Sequence, residues 1–140
     1  MKVLTVLLVL LALAGVVVST MALKEHWSNE PSPCKINDIW DCGAVNKSPY
    51  AVFLGVPVAG IGAVGYALLG MLAGRNRFTI VLNAVAAVGA FCFALRLTYI
   101  EWKVLLTWCL YCVTSQCIIF VLMILAIIQA VVEFRRPRTA

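Results

Sequence analysis

Four long stretches of the chain carry no charged residue: Val3–Leu23, Tyr50–Ala73, Phe78–Leu95 and Trp108–Val132. Each approaches or exceeds the ~20 apolar residues that take a helix across about 30 Å of hydrocarbon. A chain inside lipid must pair its own backbone groups, so helices are the expected form. The pattern predicts an all-α integral membrane four-helix bundle, one domain over residues 1–140, with spans at about 3–23, 50–73, 78–95 and 108–132. Between them lie a polar loop over 24–49, the tight Gly74-Arg75-Asn76-Arg77 turn, and a connection from Arg96 to Thr107. The first span also has features of a signal peptide, since Lys2 leads an apolar run and Thr20-Met21-Ala22 resembles a cleavage site. That run is longer than the usual 7–15 residues, so a retained span is expected. In the second span, Gly55, Ala59, Ala63 and Ala67 recur every four positions and predict a flat face for close helix packing. The chain is expected to lie along the membrane interface from Ser48 to about Leu54, as a short interfacial helix, and to turn inward with Pro57 in the first turn of the span.

Composition agrees with a membrane protein and excludes most alternatives. Apolar residues make up 64% and charged residues 12%, against roughly 45–50% and 25% in soluble globular proteins. A mean hydropathy of +1.02 is incompatible with a solvated surface. The net charge of +5 is too sparse for a phosphate-binding stripe, so no nucleic-acid partner is expected. Its distribution is informative instead. Lys2, Arg75, Arg77, Arg135, Arg136 and Arg138 share one side with Glu133 alone. The other side mixes Lys24, Lys35, Lys47 and Lys103 with Glu25, Glu30, Asp38, Asp41 and Glu101. Basic residues collect on the cytoplasmic side of membranes, which predicts both termini inside and the 24–49 loop on the outer, oxidising face. Trp27, Trp40, Trp102 and Trp108 all fall on that outer side, as anchors or as cover over a buried site.

Gly60-Ile61-Gly62-Ala63-Val64-Gly65 matches the dinucleotide-binding pattern GxGxxG. That chemistry needs a preceding strand, a helix N-terminus aimed at pyrophosphate and an acid about 20 residues further on. Here the glycines sit inside an uncharged span and the next acid is Glu101, so the match reflects helix packing.

The cysteines carry the chemistry. Cys34 and Cys42 lie in the outer loop, and Cys109-Leu110-Tyr111-Cys112 opens the fourth span on the same side, where disulfides persist. Taken alone, a loop pair such as Cys34/Cys42 reads as a structural staple. A CxxC at a helix start reads differently. A disulfide closed within one turn restrains little chain entropy, whereas unpaired N–H groups and the helix dipole stabilise a thiolate on the first cysteine. Residues three apart share a helix face, so Cys109 and Cys112 are placed to form a disulfide, with Cys112 roughly 4–5 Å deeper. A zinc site from both pairs is a weaker alternative, because seven residues separate the first pair. Cys92 and Cys117 are expected to be small buried apolar groups, His26 a solvated loop residue, and Asn83, Thr114, Ser115, Gln116 and Gln129 interhelical hydrogen-bonding groups. Gln116 lies one turn below Cys112 on a similar face.

In order, Cys34, seven residues, Cys42, five residues, Ser48, then Gly55-Val56-Pro57 entering a helix and a terminal-helix Cys109-x-x-Cys112, resemble the vitamin K epoxide reductase family. The closest likeness is to its small bacterial members, which act as DsbB-type disulfide oxidases of the plasma membrane. The resemblance implies a four-helix bundle around a quinone pocket, capped by the loop and its interfacial helix. It implies that Cys34 and Cys42 exchange electrons with a thioredoxin-fold, DsbA-like partner on the outer side. Cys109 and Cys112 would pass them to a quinone of ubiquinone or menaquinone type, with Cys112 nearest the ring and Ser48 completing the site. The vertebrate enzymes carry an asparagine early in the second helix and a tyrosine one turn after CxxC. Here the first is missing and the second is Gln116, which points to plain quinone reduction rather than epoxide reduction. Many bacterial relatives carry a fused thioredoxin domain, and after Arg135-Arg136-Pro137-Arg138 the expectation is a separate partner protein. The rival from another class is a non-enzymatic four-span protein, claudin-like in outline, in which Cys34–Cys42 only braces the loop.

The charge asymmetry makes a direct prediction. A reporter fused after Ala140 is expected in the cytoplasm and one inserted within 24–49 outside; an external C-terminus would require an odd number of crossings and refute the arrangement.

Overall fold

A computed structural model describes residues 1–138, so Thr139 and the Ala140 fusion point lie outside the described residues. The chain forms α1 (Lys2–Trp27), a short α2 (Cys42–Asn46), a 3₁₀ turn (Pro49–Ala51), a two-residue hairpin of β1 (Val52–Phe53) and β2 (Val56–Pro57), α3 (Val58–Leu72), α4 (Arg77–Ile100) and α5 (Leu110–Arg135). A π-helical turn, Glu101–Leu105, continues α4. The molecule is an all-α membrane bundle apart from that hairpin. α1, α4 with its π turn, and α5 are long and apolar enough to cross a membrane, and α3 is a shorter apolar helix.

Three boundaries differ from the hydropathy pattern. α1 runs past Leu23 to Trp27, taking Lys24, Glu25 and His26 out of the loop and into the helix. α4 does not stop near Arg96 but winds on to Leu105. The second span contracts to the 15 residues of α3, roughly 22 Å at 1.5 Å per residue. The residues before it are diverted instead. Leu54 and Gly55 both take positive φ, 53° and 83°, which is the two-residue hairpin turn that matches strand twist. Pro57 caps the N-terminus of α3 rather than sitting within it. The segment expected to lie along the interface as a short helix, from Ser48 to about Leu54, is instead a 3₁₀ turn leading into a hairpin. Its tip residue Leu54 is 89% exposed, an apolar side chain presented outward where backbone pairing is incomplete, as befits a membrane interface rather than the hydrocarbon core.

α1 is central, packed along α3 on one side and α5 on the other; α4 lies along α5, and α3 touches α4 only lightly. Leu8, Ala12, Tyr66, Leu69, Ala87, Leu122 and Ala126 form the common core. Lipid is as apolar as these side chains, so association depends on close packing more than on water exclusion. The close approach between α1 and α3 does not use the expected Gly55–Ala67 stripe: Gly55 is in the hairpin and Ala67 is exposed. It uses Gly15, which lies against the Tyr66 ring, Gly62 beside Ser19, and Gly70 beside Ala12.

Polar groups inside the bundle behave mostly as expected. Gln129 Nε2 donates to Thr5 Oγ1 (3.0 Å), and Thr98 Oγ1 donates to Gln116 Oε1 (3.3 Å). Tyr66 Oη lies 2.8 Å from Ser115 Oγ. Thr114 instead donates to Leu110 O within its own helix, and the fully buried Asn83 side chain has no partner among the described residues. Cys92 and Cys117, expected to be buried, are exposed on the outer faces of α4 and α5. Facing lipid meets the apolar preference of a thiol as well as a core does. At the basic end, Arg77 stacks over the Phe134 ring, 4.7 Å from its centroid, and draws the α3–α4 turn to the end of α5.

A methyl group on Gly15 would overlap the Tyr66 ring, whereas one on Gly89 would meet nothing. Gly15→Ala is expected to destabilise the bundle by about 1–3 kcal/mol, read as a lower unfolding midpoint in detergent, with Gly89→Ala unchanged or slightly improved.

Candidate active site

The loop is attached to the start of α5 through its backbone. Trp108 N–H donates to Ile39 O (2.6 Å), and Asp41 N–H donates to Trp108 O (3.0 Å). The two tryptophan rings, Trp40 and Trp108, lie 6.4 Å apart over this junction. Asn37 Oδ1 accepts from the N–H groups of Ile39 and Trp40 (2.8 and 3.0 Å), which turns the chain into register. Asp41 then caps α2, its Oδ1 accepting from Ala44 N–H (3.1 Å), so Cys42 becomes the first helical residue. Cys34 and Cys42 are joined by a disulfide, with Cα atoms 5.8 Å apart. Both loop sulfurs are thereby engaged with each other and not available as zinc thiolates in this state.

Cys109 lies just outside α5 as its N-cap, and its Sγ accepts the N–H of Cys112 (3.4 Å). The expected bond between these two is not formed; both are free thiols. Cys34, Cys42, Cys109 and Val45 form one buried cluster, with Leu105, Tyr111 and Cys112 packed against it. The two cysteine pairs that the sequence separates are therefore brought together, Cys42 and Cys109 both fully buried.

Two residues complete this arrangement that sequence reasoning missed. Asn46 Nδ2 donates both to Cys42 O (2.8 Å) and to Cys109 Sγ (3.3 Å), which ties the loop helix to the α5 thiol. Its signal was only its position, four residues after Cys42, where a helix returns a side chain to the same face. Glu101, one of the outer-side charges in the sequence, is 3% exposed. The π turn aims its carboxylate at the start of α5, where Oε2 accepts Cys109 N–H (3.2 Å). The Cys109 thiol is held below its ordinary pKa, first by the hydrogen bond from the Cys112 side chain and further by Cys112 N–H and Asn46; burial and the Glu101 charge oppose this.

Beside the cysteine cluster, a cavity of about 370 Å³ opens among α1, α3, α4 and α5, lined mostly by apolar side chains. Cys112, Glu101, Asn46, Ser48, Tyr66 and Gln116 all reach its wall. Ser48 is thus beside the cavity, although its hydroxyl donates to Val45 O (2.7 Å) and closes the end of α2. His26 is a correction: it is half-buried on the same wall, with Nδ1 donating to Asn46 O, because α1 extends past the expected loop boundary. Gly62 and Gly65, part of the rejected GxGxxG pattern, make room for the cavity.

A membrane helix bundle that buries one cysteine pair against another beside an apolar cavity is built for thiol–disulfide exchange. The model of the vitamin K epoxide reductase family matches residues 6–127. The chain belongs to that family, one of membrane thiol–disulfide oxidoreductases. No curated protein matches the chain significantly.

Asn46 supplies the only side-chain N–H donor to Cys109 Sγ among the described residues. A hydrogen bond to a charged group contributes about 1.5–3 kcal/mol. Asn46→Ala is therefore expected to slow alkylation of Cys109 at neutral pH by roughly tenfold or more, because losing a donor moves thiolate formation to higher pH. An unchanged rate-against-pH profile would remove Asn46 from the site.

Proposed function

We propose that this chain is a thiol oxidase of a bacterial plasma membrane, with both termini cytoplasmic and its whole length forming one domain. It accepts electrons from a reduced thioredoxin-fold protein on the outer side and delivers them through two cysteine pairs to a quinone, which sustains disulfide formation. The observation that carries this reading is the burial of Cys109 against the Cys34–Cys42 pair, with Cys112 on the wall of the cavity.

The exchange has a definite order on this reading. A partner thiolate attacks the Cys34–Cys42 disulfide, and the partner's second thiol then releases the partner as a disulfide, leaving both loop cysteines reduced. One loop thiolate attacks Cys109 of an oxidised Cys109–Cys112 pair and displaces Cys112, and the second loop thiol resolves the mixed disulfide. The result is an oxidised loop beside a reduced helix pair, which is the combination in this structure. The cavity suits a quinone ring: its volume falls within the roughly 300–1,000 Å³ of small-molecule sites, and polar groups are few. Cys112, Ser48, Tyr66 and Gln116 would hold the ring, and the bound quinone would supply the two-electron acceptor. Asn46 keeps Cys109 reactive, while the buried junction keeps water away from the thiols.

Purified protein in lipid nanodiscs, given a reduced thioredoxin-fold donor, is expected to reduce ubiquinone or menaquinone. Cys112→Ser should abolish this and accumulate a loop-cysteine–Cys109 disulfide. Ser48→Ala should slow turnover only about fivefold, the equivalent of one ordinary hydrogen bond. Peptide mapping of Cys112→Ser that shows only Cys34–Cys42 and a free Cys109, under donor supply, would identify a structural brace instead.

A further inference from the structure

Oxidising a dithiol breaks two S–H bonds as well as forming one S–S bond, so the site must handle protons where water is scarce. Glu101 is the one carboxyl on the cavity wall among the described residues. It is 3% exposed, it is on the cavity wall with Cys112, and its Oε2 accepts the N–H of Cys109 at 3.2 Å. Cys112 is tied to the same point, its N–H donating to Cys109 Sγ at 3.4 Å. No cation is paired with Glu101 among the described residues, where the salt bridges are Lys35–Asp41 and Arg136–Glu133. An unpaired buried carboxylate is costly, so taking up a proton relieves that cost. The geometry that holds it there is unusual. The π turn Glu101–Leu105 ends in a left-handed Leu106 (φ 53°), and Thr107 N–H donates back to Glu101 O at 3.3 Å. π turns of this kind recur at functional sites.

We propose that Glu101 is the proton acceptor for Cys112. The inference rests on the thiol-oxidase reading of the same site. As Cys112 becomes a thiolate, its S–H bond breaks, the proton moves to the Glu101 carboxylate and sulfur keeps the electron pair. When the Cys109–Cys112 bond closes, two electrons leave to the quinone. The two thiol protons follow, one by way of Glu101, so that quinol is the product and Glu101 returns to carboxylate. The other titratable groups around this space are Cys109 and Tyr111 from the α5 end, Glu25 and His26 from α1, Tyr50 from the 3₁₀ turn and Tyr66 from α3. None of these is shown bonded to the Cys109 N–H, and Glu101 is.

The test uses the full chain in nanodiscs with Cys34–Cys42 oxidised, and follows N-ethylmaleimide addition at Cys112 by mass spectrometry as pH is varied. No quinone is present. A carboxylate that exchanges a proton with the thiol gives a rate that levels off with pH once the carboxyl has titrated. Glu101→Gln keeps an oxygen for Cys109 N–H but cannot take a proton. It is expected to react at least tenfold more slowly at neutral pH, with a rate that climbs steadily with pH. Glu101→Asp should restore the plateau in part, and the mapped Cys34–Cys42 bond checks that each variant folds. Faster alkylation in Glu101→Gln would mean that the carboxylate merely repels the thiolate, and an unchanged profile would mean a structural role; either overturns the proposal. With quinone and donor added, Glu101→Gln should lower turnover at least a hundredfold, in the range of general acid–base contributions. If wild type shows the alkylation plateau but reduces no quinone, the proton role stands and the quinone reading fails.

Discussion

The two backbone hydrogen bonds between Trp108 and the Ile39–Asp41 segment organise the reactive end of this molecule. A loop of fourteen residues between Trp27 and Cys42 has no rigid element of its own, and a disulfide within it would otherwise move freely over the membrane surface. Backbone groups that become buried must be paired, and pairing them with Trp108 sets the loop in one register against α5. Everything at the site follows from that register. Asp41 is left to cap α2, Cys42 is directed inward, and Asn46 lands on Cys109 Sγ.

The same junction explains the irregular end of α4. A regular helix would carry the chain straight on into solvent, with Glu101 on whichever face the 3.6-residue repeat assigned. The π turn and the left-handed Leu106 reverse the chain within a few residues, so α5 starts beside the end of α4. The start of a helix leaves N–H groups unpaired. Here Glu101 accepts one of them and Cys109 Sγ another, so helix capping and thiol chemistry share the same atoms. A carboxylate at this position is favoured by the α5 dipole and opposed by burial.

The bundle itself serves to keep a space open. Small residues let α3 approach α1 closely along Gly15, Gly62 and Gly70, while α3 stays nearly clear of α4. The void left among the helices is apolar apart from the few polar groups near the cysteines, so the thiols and the carboxyl sit in a low-dielectric setting. There, a hydrogen bond to sulfur or to a carboxylate weighs more than it does in water.

Membrane character and the helical class were legible in the sequence because they are one-dimensional properties: runs of apolar residues are long enough to span lipid or they are not. The cysteine spacing, with Ser48 and Gly55-Val56-Pro57, was enough for the family, since exchange chemistry constrains residue type and order. Helix ends were less legible. Charge at Lys24, Glu25 and Arg96 suggested loops, but the backbone continued through them as helix, with the Glu25 side chain folded inward. Pro57 and Gly55 signalled a break without revealing that a hairpin would shorten α3 to 15 residues. Which small residues meet depends on the rotation of α1 against α3, and that is set by the whole interface. Asn46 and Glu101 were invisible for a related reason. Each is an ordinary polar residue in sequence, and only the pairing of Trp108 with the loop and the π turn bring them onto Cys109, sixty-three and eight positions away.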